Sequence, residues 1–435
     1  MYNNIDLQGL ALRARGILKL NDLGTSTKPS PKLYPHQWNW DSAFIALGLS
    51  HSDTNRAQTE IKSMVQAQWE TGMIPHIVFN PEAINYHPSP EYWGTQIADA
   101  PATIRTSGIT QPPVLAQAAL EVYENSAKSP ADLAFLSEIY PALLKETNFL
   151  YNERDPSQDV LSFICHPWES GMDNSPCWDI PLNNFEMKFK PEFMRKDKKD
   201  IPANQRPSDD EYSRYSYLVQ AYAGENWDQS KILDLNLFQV QSVLFNVLQL
   251  ESMQALVRIA KLVDMPSDKI NQRIQQSLES FENKLWDKDS QRYLDYDLSG
   301  NALIETDNIS QFLPLFAGIP PAEKAEAIVS RLQSQDYWPE KGWGICTQAR
   351  SSADFDLECY WRGPVWINTN WMITKGLEKY NRPQLAKCLA HETLDLVDKF
   401  GFFEYFNSDT GQGLGSDNFS WTAALVLDLI ESGYS

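Results

Sequence analysis

The sequence predicts an all-α protein in which helical hairpins pack side by side in a ring. Apolar residues recur at helical spacing along the whole chain of 435 residues. Strand-like alternation is confined to short pieces such as 77–79, which we expect to form small hairpins in loops. The helical segments follow one another without the β-α-β rhythm of a parallel sheet, and this order favours helix-on-helix packing.

Each predicted helix rests on apolar residues three and four positions apart. Several segments start at proline, which fits the first turn of a helix because its missing N–H would have no partner there. The predicted helices cover residues 5–20, 41–49, 56–70, 113–123, 130–150, 237–263, 269–285, 321–332, 365–380, 383–400 and 419–430.

The chain has no Gly/Ser-rich or Pro-rich linker, so we expect one domain over residues 1–435. The longest irregular stretch, 152–213, predicts a loop or lid over a site, since structureless segments of that length are uncommon without a function. Its basic run, 188–199, alternates with acidic residues and is interpreted as a solvated surface loop.

Charge argues against two classes of partner, and cysteine content and the first residues of the chain indicate where the protein is located. A net charge of −20 argues against nucleic acid and anionic membranes, which bind clustered Lys and Arg. Apolar runs fall short of the ~20 residues that span a bilayer. Five cysteines without a C-x-x-C pair indicate reduced thiols, and residues 1–19 lack the apolar run of a signal peptide. We expect a cytoplasmic protein that binds a small molecule, with a homo-oligomer left open.

Aromatic side chains are unusually abundant, with 14 Trp, 18 Tyr and 19 Phe. Core packing is the simplest explanation for any one of them. Many, however, stand in loops beside carboxylates and amides, as in Gln37–Asp41 and Tyr360–Trp366. A sugar ring needs both an apolar face to stack on and hydrogen-bonding groups for its hydroxyls, so this placement favours a carbohydrate site.

Two loops carry carboxylates in unusual surroundings. The segment 166–179 holds Glu169, Asp173 and Asp179 on a chain interrupted by Gly and Pro, although an ordinary polar loop is the alternative. Glu404 stands among four aromatic residues, where burial would raise its pKa. Glycoside hydrolysis needs one protonated and one ionised carboxyl group. Local chemistry alone leaves open which carboxyl group is the acid and which is the base.

Other catalytic classes find little support. The sequence has no Gly-x-Ser-x-Gly, no Walker motif and no His-Glu-x-x-His. Its six histidines are scattered, and we expect neither a metal nor a cofactor. His36 and His76 each follow a proline, which suits substrate binding or the closing of a turn.

The ordered motifs resemble glycoside hydrolase family 63. The similarity runs from residue 34 to 430 and rests on residues 37–44 (QWNWDSAF), 110–116 (TQPPVLA), 169–176 (ESGMDNSP), 360–371 (YWRGPVWINTNW), 402–406 (FFEYF) and 419–424 (FSWTAA). The resemblance implies an (α/α)₆ barrel and inversion of the anomeric centre.

The resemblance also implies residue roles. Asp173 matches the general acid and Glu404 the base that activates water, with the two carboxyl groups expected roughly 6.5–9.5 Å apart. Trp40, Asp41, Gln111, Trp361 and Arg362 match positions that line the sugar subsite, while Glu169 and Asp179 become supporting residues. We extend the expected binding site to Tyr34, Trp38, Tyr86, Trp168, Glu169, Gly171, Trp178, Arg214, Tyr217, Tyr360 and Trp421.

Chain length narrows the expected substrate. The chain lacks the β-sandwich of the large eukaryotic processing glucosidases and is similar in size to bacterial and plant mannosylglycerate and glucosylglycerate hydrolases. We therefore expect a small α-glycoside with a carboxylate on its aglycone. Arg214 is the candidate for binding that carboxylate, with Tyr217 and Tyr86; the alternative is a surface ion pair with Asp209 or Asp210.

Two positions depart from the family pattern on the leaving-group side. Cys177 stands where a basic residue is usual, and Asn418 where a longer amide is expected. A hydrolase of neutral glycosides such as glucosylglycerol or a disaccharide is the rival enzyme. A non-catalytic sugar-binding barrel is the rival from another class.

Overall fold

Helices make up most of the structure, a computed structural model that describes residues 5–83, 86–97, 99–199 and 201–434. The α-helices are α1 (Leu7–Leu20), α2 (Asn39–Ser50), α3 (Thr54–Val65), α4 (Pro90–Trp93), α5 (Leu115–Asn125), α6 (Pro130–Glu153), α7 (Asp179–Asn184), α8 (Asp209–Gly224), α9 (Gln229–Leu235), α10 (Val243–Leu262), α11 (Asp268–Ser280), α12 (Ala322–Leu332), α13 (Ile367–Lys379), α14 (Pro383–Phe400) and α15 (Ser420–Glu431). A 3₁₀ segment, Ile309–Leu315, and a π turn, Phe281–Leu285, extend this set.

Sequence-encoded caps start several of these helices. Ser129 accepts a hydrogen bond from the Asp132 backbone N–H, and Asp132 accepts one in return from the Ser129 N–H. Ser208 and Glu211 form the same reciprocal pair at the start of α8. Such caps satisfy N–H groups that have no partner inside the helix, and each is worth on the order of 1 kcal/mol.

Six elements pack against one another in a closed cycle. They are α2, α5, α10, Ile309–Leu315, α13 and α15; each contacts the next, and α15 returns to α2. Most residues of these elements are buried, and in α2 every residue except Leu49 is buried. A second set covers them from outside: α3 packs on α2, α6 on α5 and α10, α11 on α10, α12 on Ile309–Leu315, α14 on α13, and α1 on α15.

The strands are short and antiparallel. Ile77–Val78 is a short strand, as expected, but it pairs with Gln37–Trp38 across α2 and α3 and does not form a local hairpin. Phe403–Phe406 pairs with Gly413–Asp417 with a register shift between Phe403 and Tyr405. The remaining pairs join Val240–Gln241, Tyr296–Asp297 and Ala302–Leu303 in one sheet and Trp286–Asp287 with Arg292–Tyr293 in another.

The predicted helices are confirmed within a few residues, with three corrections. Residues 237–263 contain a helix only from Val243, because Val240–Gln241 pair as a strand. The irregular stretch 152–213 ends at Ser208, where α8 begins, and it contains α7. The helices α4, α8 and α9 and the 3₁₀ segment Ile309–Leu315 were missed, although the Ser208–Glu211 capping box marks the start of α8 in the sequence.

The described residues bear on two expectations, one about membrane-spanning helices and one about disulfide bonds. In that part of the chain no helix is both long and apolar enough to cross a membrane. No disulfide forms among the cysteines.

Candidate active site

A two-chambered cavity lies at the N-terminal ends of α2, α13 and α15. The inner chamber has a volume of about 60 Å³ and the outer chamber about 580 Å³. Tyr34, Trp38, His76 and Asp173 line both chambers and so mark the junction between them. The inner chamber is completed by Pro29, Trp40, Asp41, Gln111, Gly171, Tyr360, Trp361, Trp366, Glu404, Phe419 and Trp421.

The loop that carries Asp173 depends on a glycine. Gly171 has a φ of +73°, and a Cβ at this position would lie 2.5 Å from Cη2 of Trp40. Any side chain here would therefore strain the backbone and collide with a wall of the inner chamber. The Tyr215 hydroxyl donates a 2.8 Å hydrogen bond to the Asp173 carbonyl oxygen and holds the loop from the other side.

A buried ion pair fixes the base of this loop. Arg154 donates to both carboxylate oxygens of Glu169 at 2.8 and 2.9 Å, and both side chains are essentially inaccessible. Glu169 also accepts hydrogen bonds from the backbone N–H groups of Thr110 and Cys165. Burial alone would raise the pKa of Glu169, but Arg154 and these donors hold it below the ordinary value. Glu169 thereby joins the loop 105–113 to the Asp173 loop.

The Asp173 carboxyl group stands at the chamber junction in a largely dehydrated setting. Burial raises its pKa to about 7, against the lowering effect of Arg206 and with the negative charge of Glu404 adding to the rise. The raised pKa favours the protonated form of Asp173, which can donate a proton to a bound ligand.

Glu404 is held in the inner chamber by the hairpin of Phe403–Phe406 and Gly413–Asp417. Its carboxylate accepts hydrogen bonds from the Tyr34 hydroxyl (2.8 Å), the Tyr360 hydroxyl (3.1 Å) and the Ser416 N–H (3.0 Å). Burial raises the pKa of Glu404, while Arg206, at 3.8 Å, and these three donors lower it. Asp173 and Glu404 thus have unlike surroundings, because three hydrogen-bond donors and the Arg206 cation surround the Glu404 carboxylate.

Aromatic rings form the walls of the inner chamber. Trp361 stacks on Trp366 with centroids 3.9 Å apart, and Trp366 stacks on Tyr405. The indole N–H groups of Trp361 and Trp421 have no hydrogen-bond partner among the described residues. Apolar faces with unpaired donors at their edges suit a ligand that carries hydroxyl groups.

Asp41 and Gln111 add polar groups to this chamber. Burial raises the pKa of Asp41 well above its usual value, and the negative charges of Glu404 and Asp173 raise it further. The Gln111 Oε1 accepts a 3.2 Å hydrogen bond from the Trp40 N–H, which orients the side-chain amide.

Positive side chains dominate the charge of the outer chamber. Lys32, Lys196, Lys199 and Arg206 contribute cations to its lining, and Asp173 and Asp197 are its carboxyl groups. This excess occurs in a chain with a net charge of −20. An anionic group is therefore the favoured occupant of this part of the cavity.

Comparison with known proteins gives the family. The profile of the mannosylglycerate hydrolase MGH1-like glycoside hydrolase domain matches residues 34–422. The chain belongs to this family. It is a glycoside hydrolase, which agrees with the resemblance seen in the sequence.

Relatives that match over nearly their whole length support the assignment of this hydrolase to the family. It is 38% identical to the mannosylglycerate hydrolase of Rubrobacter radiotolerans, with 98% of each chain covered. It is 36% identical to the glucosylglycerate hydrolase of Mycolicibacterium hassiacum, over 96% of this chain and 97% of the relative. The crystal structure of the glycoside hydrolase family 63 mannosylglycerate hydrolase from Thermus thermophilus in complex with Tris and D-glycerate superposes with a TM-score of 0.91 at 37% identity, covering 96% and 99% of the two chains.

Most binding residues expected from the sequence line the hydrolase cavity. Tyr86 and Trp168 lie in the outer chamber, where the Trp168 ring stacks near His76. Tyr34 and Trp38 lie at the junction. Trp40, Asp41, Gln111, Gly171, Tyr360, Trp361 and Trp421 lie in the inner chamber.

The structure places the remaining expected binding residues behind the cavity walls. Glu169 is the buried partner of Arg154. Trp178 is buried, and its indole N–H donates to the Met172 carbonyl. Arg362 pairs with Asp179 and Glu211. These three side chains support the site from behind and do not appear among its lining residues.

Arg214 and Tyr217 are also outside the lining. Arg214 donates to the Leu182 carbonyl and approaches Asp210, one turn before it on α8, which is the ion pair weighed as its alternative. Tyr217 packs on Phe189, and its hydroxyl accepts a hydrogen bond from the Lys188 N–H. The helix α8 turns both residues away from the outer chamber.

Several cavity residues were missed by the sequence analysis. Arg206, Tyr212 and Trp366 line the chambers, and the basic run 188–199 is only partly a solvated loop because Lys196 and Lys199 reach the outer chamber. The capping box of Ser208 and Glu211 was the available signal, because it places Arg214 inside a helix and leaves Arg206 in the loop just before that helix. Of the histidines, His76 lines both chambers. The His36 Nδ1 accepts a hydrogen bond from the Asn80 N–H, which joins two segments far apart in sequence and does not close a turn.

Proposed function

We propose that this hydrolase cleaves the α-glycosidic bond of mannosylglycerate or glucosylglycerate with inversion of the anomeric centre. The observation that carries the proposal is the position of Asp173, between an inner chamber walled by aromatic rings and an outer chamber rich in cations. A sugar fits the first environment and a carboxylate-bearing aglycone the second. The relatives named as hydrolases of these two compounds are similar over nearly the whole chain.

Asp173 and Glu404 divide the chemistry between them. The Asp173 carboxyl group, with a pKa of about 7, donates its proton to the glycosidic oxygen as the bond to the sugar breaks. Glu404 accepts a proton from a water molecule that attacks the anomeric carbon from the opposite face. The Tyr34 and Tyr360 hydroxyls donate to Glu404 and orient its carboxylate.

Arg206 takes the role that the sequence analysis gave to Arg214. It lines the outer chamber, its Nη1 donates to the Tyr34 hydroxyl, and its Nε donates to Asp197. No described residue accepts a hydrogen bond from its Nη2, so these two hydrogens are available to a carboxylate oxygen of the aglycone. The neighbouring Tyr86 and Tyr212 add hydroxyl groups to the same chamber.

Comparing two arginine variants tests the proposed substrate. Arg206→Lys keeps the charge but loses the planar donor pair, and Arg214→Ala removes the arginine that lies outside the cavity. We expect Arg206→Lys to raise KM for glucosylglycerate by roughly tenfold or more, as for the loss of a charge-assisted hydrogen bond, with a smaller effect on glucosylglycerol. Arg214→Ala should leave KM unchanged for both glucosylglycerate and glucosylglycerol.

Two outcomes would contradict the proposal. If Arg206→Lys raised KM equally for glucosylglycerate and glucosylglycerol, Arg206 would not bind the carboxylate of the aglycone. If the wild type preferred glucosylglycerol, the natural aglycone would be neutral. Proton NMR of the first product formed tests inversion, because an α-glycoside must release the β-anomer.

The fold supports the same proposal at the level of architecture. We propose that the inner cycle of six elements and the outer set around it form one (α/α)₆ barrel that acts as a single catalytic domain. One hydrophobic core cluster includes residues from Leu10 to Tyr434, so the two ends of the chain share a core. Partial proteolysis would test this: a stable fragment that folds alone would contradict a single domain.

A further inference from the structure

A row of charged side chains runs from the surface of the outer chamber to Glu404. Arg195 donates to both carboxylate oxygens of Asp197 at 2.9 and 2.8 Å. The Asp197 Oδ2 also accepts a 3.3 Å hydrogen bond from the Arg206 Nε. From there the Arg206 Nη1 reaches the Tyr34 hydroxyl at 3.0 Å and lies 3.8 Å from the Glu404 carboxylate.

We propose that Asp197 is a positioning residue that holds Arg206 between the aglycone chamber and Glu404, so that one guanidinium serves both. The proposal rests on the function proposed above only for the identity of the aglycone. Its second half, the control of Glu404 by the position of Arg206, holds for any glycoside that the enzyme cleaves.

Arg206 needs such an anchor because its other contacts do not fix it. The guanidinium lies over the Tyr360 ring, 4.3 Å from the centroid, and bonds the neutral Tyr34 hydroxyl. Among the described residues, Asp197 is the carboxylate that Arg206 bonds directly, since the 3.8 Å contact with Glu404 is too long for a hydrogen bond. Arg206 and Asp197 are both nearly buried, with side chains 9% and 12% exposed, so solvent screens their attraction weakly.

The distance between Arg206 and Glu404 has a chemical consequence. At 3.8 Å the cation favours the ionised form of Glu404 without occupying its oxygen atoms. If Asp197 lost its charge, the nearest carboxylate for this buried cation would be Glu404 itself. A direct ion pair would lower the pKa of Glu404 and weaken it as a base, and it would draw the Nη2 group away from the outer chamber.

Other ionisable groups also surround Glu404, and the variants that test the proposal must leave these residues unchanged. They come from separate elements: Tyr34 before α2, Asp41 on α2, Asp173 on its loop, Tyr360 before α13 and Tyr405 beside Glu404 on its own strand. None of them contacts Asp197 through a hydrogen bond in the described residues, so Arg206 is the side chain that connects Asp197 with Glu404 by direct contacts.

Three variants test the proposal. Asp197→Asn removes the charge, Asp197→Glu restores it, and Asp209→Asn is the matched control. Asp209 also forms an ion pair with Arg195, at 2.8 Å, but does not contact Arg206. Thermal unfolding of each variant first establishes that it is folded.

The first measurement is the pH dependence of α-glucosyl fluoride hydrolysis, because fluoride as a leaving group needs no aglycone chamber. For Asp197→Asn we expect the acidic limb of kcat/KM to move to lower pH and the rate at its optimum to fall roughly tenfold, as for the loss of one charge-assisted hydrogen bond. Movement of the limb to higher pH would contradict the expected ion pair between Arg206 and Glu404. Asp197→Glu should recover most of the rate, and Asp209→Asn should match the wild type.

The second measurement is calorimetric titration with D-glycerate, which requires no turnover. We expect Asp197→Asn to bind it roughly tenfold more weakly than Asp209→Asn, since the guanidinium no longer faces the chamber. An acidic limb and a glycerate affinity that both equal those of Asp209→Asn would overturn the proposal. If the wild type hydrolyses the fluoride but neither binds glycerate nor cleaves its glycosides, the proposed substrate fails while the pH comparison still tests Asp197.

Discussion

The buried pair of Arg154 and Glu169 allows a sharp test of what holds the Asp173 loop. Glu169→Gln keeps the shape of the side chain but leaves the Arg154 guanidinium without a counter-charge in a site where both side chains are at most 1% exposed. In the variant the Arg154 Nε keeps its bond to Gln229. Its terminal nitrogens keep one amide oxygen and a long contact with the Phe163 carbonyl, while the new amide N–H groups replace an oxygen that accepted hydrogen bonds. Breaking one member of a buried pair costs about 3–5 kcal/mol, so we expect a loss of that size in the free energy of unfolding at neutral pH.

Urea unfolding followed by tryptophan fluorescence measures this loss. The matched control is Glu138→Gln, which removes an exposed partner of Lys62 and should cost no more than about 1 kcal/mol. Replacing both members of the buried pair, as Arg154→Met with Glu169→Leu, should recover part of the loss, because no uncompensated charge is left. A loss in Glu169→Gln no larger than that of the control would refute the reasoning.

The pH dependence of the same measurement provides a second check. The pKa of Glu169 lies below its ordinary value, so its pairing stabilises the fold above the ordinary titration range of Glu. That contribution disappears as the pH falls through the lowered pKa. The stability difference between wild type and Glu169→Gln should therefore shrink in acid, and a difference that grew would contradict the pairing.

Three further outcomes follow from the site. Asp173→Asn and Glu404→Gln should each lower kcat by ~10²–10⁴-fold in a reducing-sugar assay, and near-normal turnover by either would refute its role. Wild-type activity should fall as the pH rises through about 7, because Asp173 then loses its proton, and also in acid, where Glu404 becomes protonated; an activity that keeps rising in alkali would contradict this assignment. Gly171→Ala should reduce kcat and stability, because its Cβ would meet Trp40, whereas Gly433→Ala, with a φ of +80° and no atom within 4 Å, measures the backbone strain alone. Equal effects of the two alanines would show that the contact with Trp40 is unimportant.

The accuracy of the helix prediction reflects which signals are local. The helix Pro383–Phe400 was predicted with both ends correct, because its apolar spacing, its initial proline and the following Gly401 are all encoded within the segment. Val243 was placed inside a longer helix, because the strand pairing of Val240–Gln241 with Tyr296–Asp297 depends on residues more than 50 positions away. Apolar residues alone cannot distinguish a buried strand from the first turn of a helix.

The candidate site shows the same division. Trp40, Asp41 and Gln111 were expected in the sugar site from motifs, and they line the inner chamber. Arg214 was selected for its chemistry and its place near the end of a long loop, and the helix α8 directs it to the Leu182 carbonyl instead. Residue type and approximate position are therefore sufficient to find a site, but they do not show which side of a helix a side chain occupies.

The sequence by itself determined that this protein is helical, that it belongs with the family 63 glycoside hydrolases, and that Asp173 and Glu404 stand in two unusual loops. Those properties are carried by spacing and short motifs along the chain. Only the tertiary structure decided that Asp173 lies at the junction of two chambers, that Arg206 and not Arg214 faces the outer one, and that Glu169 is a buried structural anion. These features depend on burial and on distances between segments that lie far apart in sequence, such as the 3.8 Å between Arg206 and Glu404. The electrostatics of each carboxyl group, and with them its chemistry, are set by those neighbours.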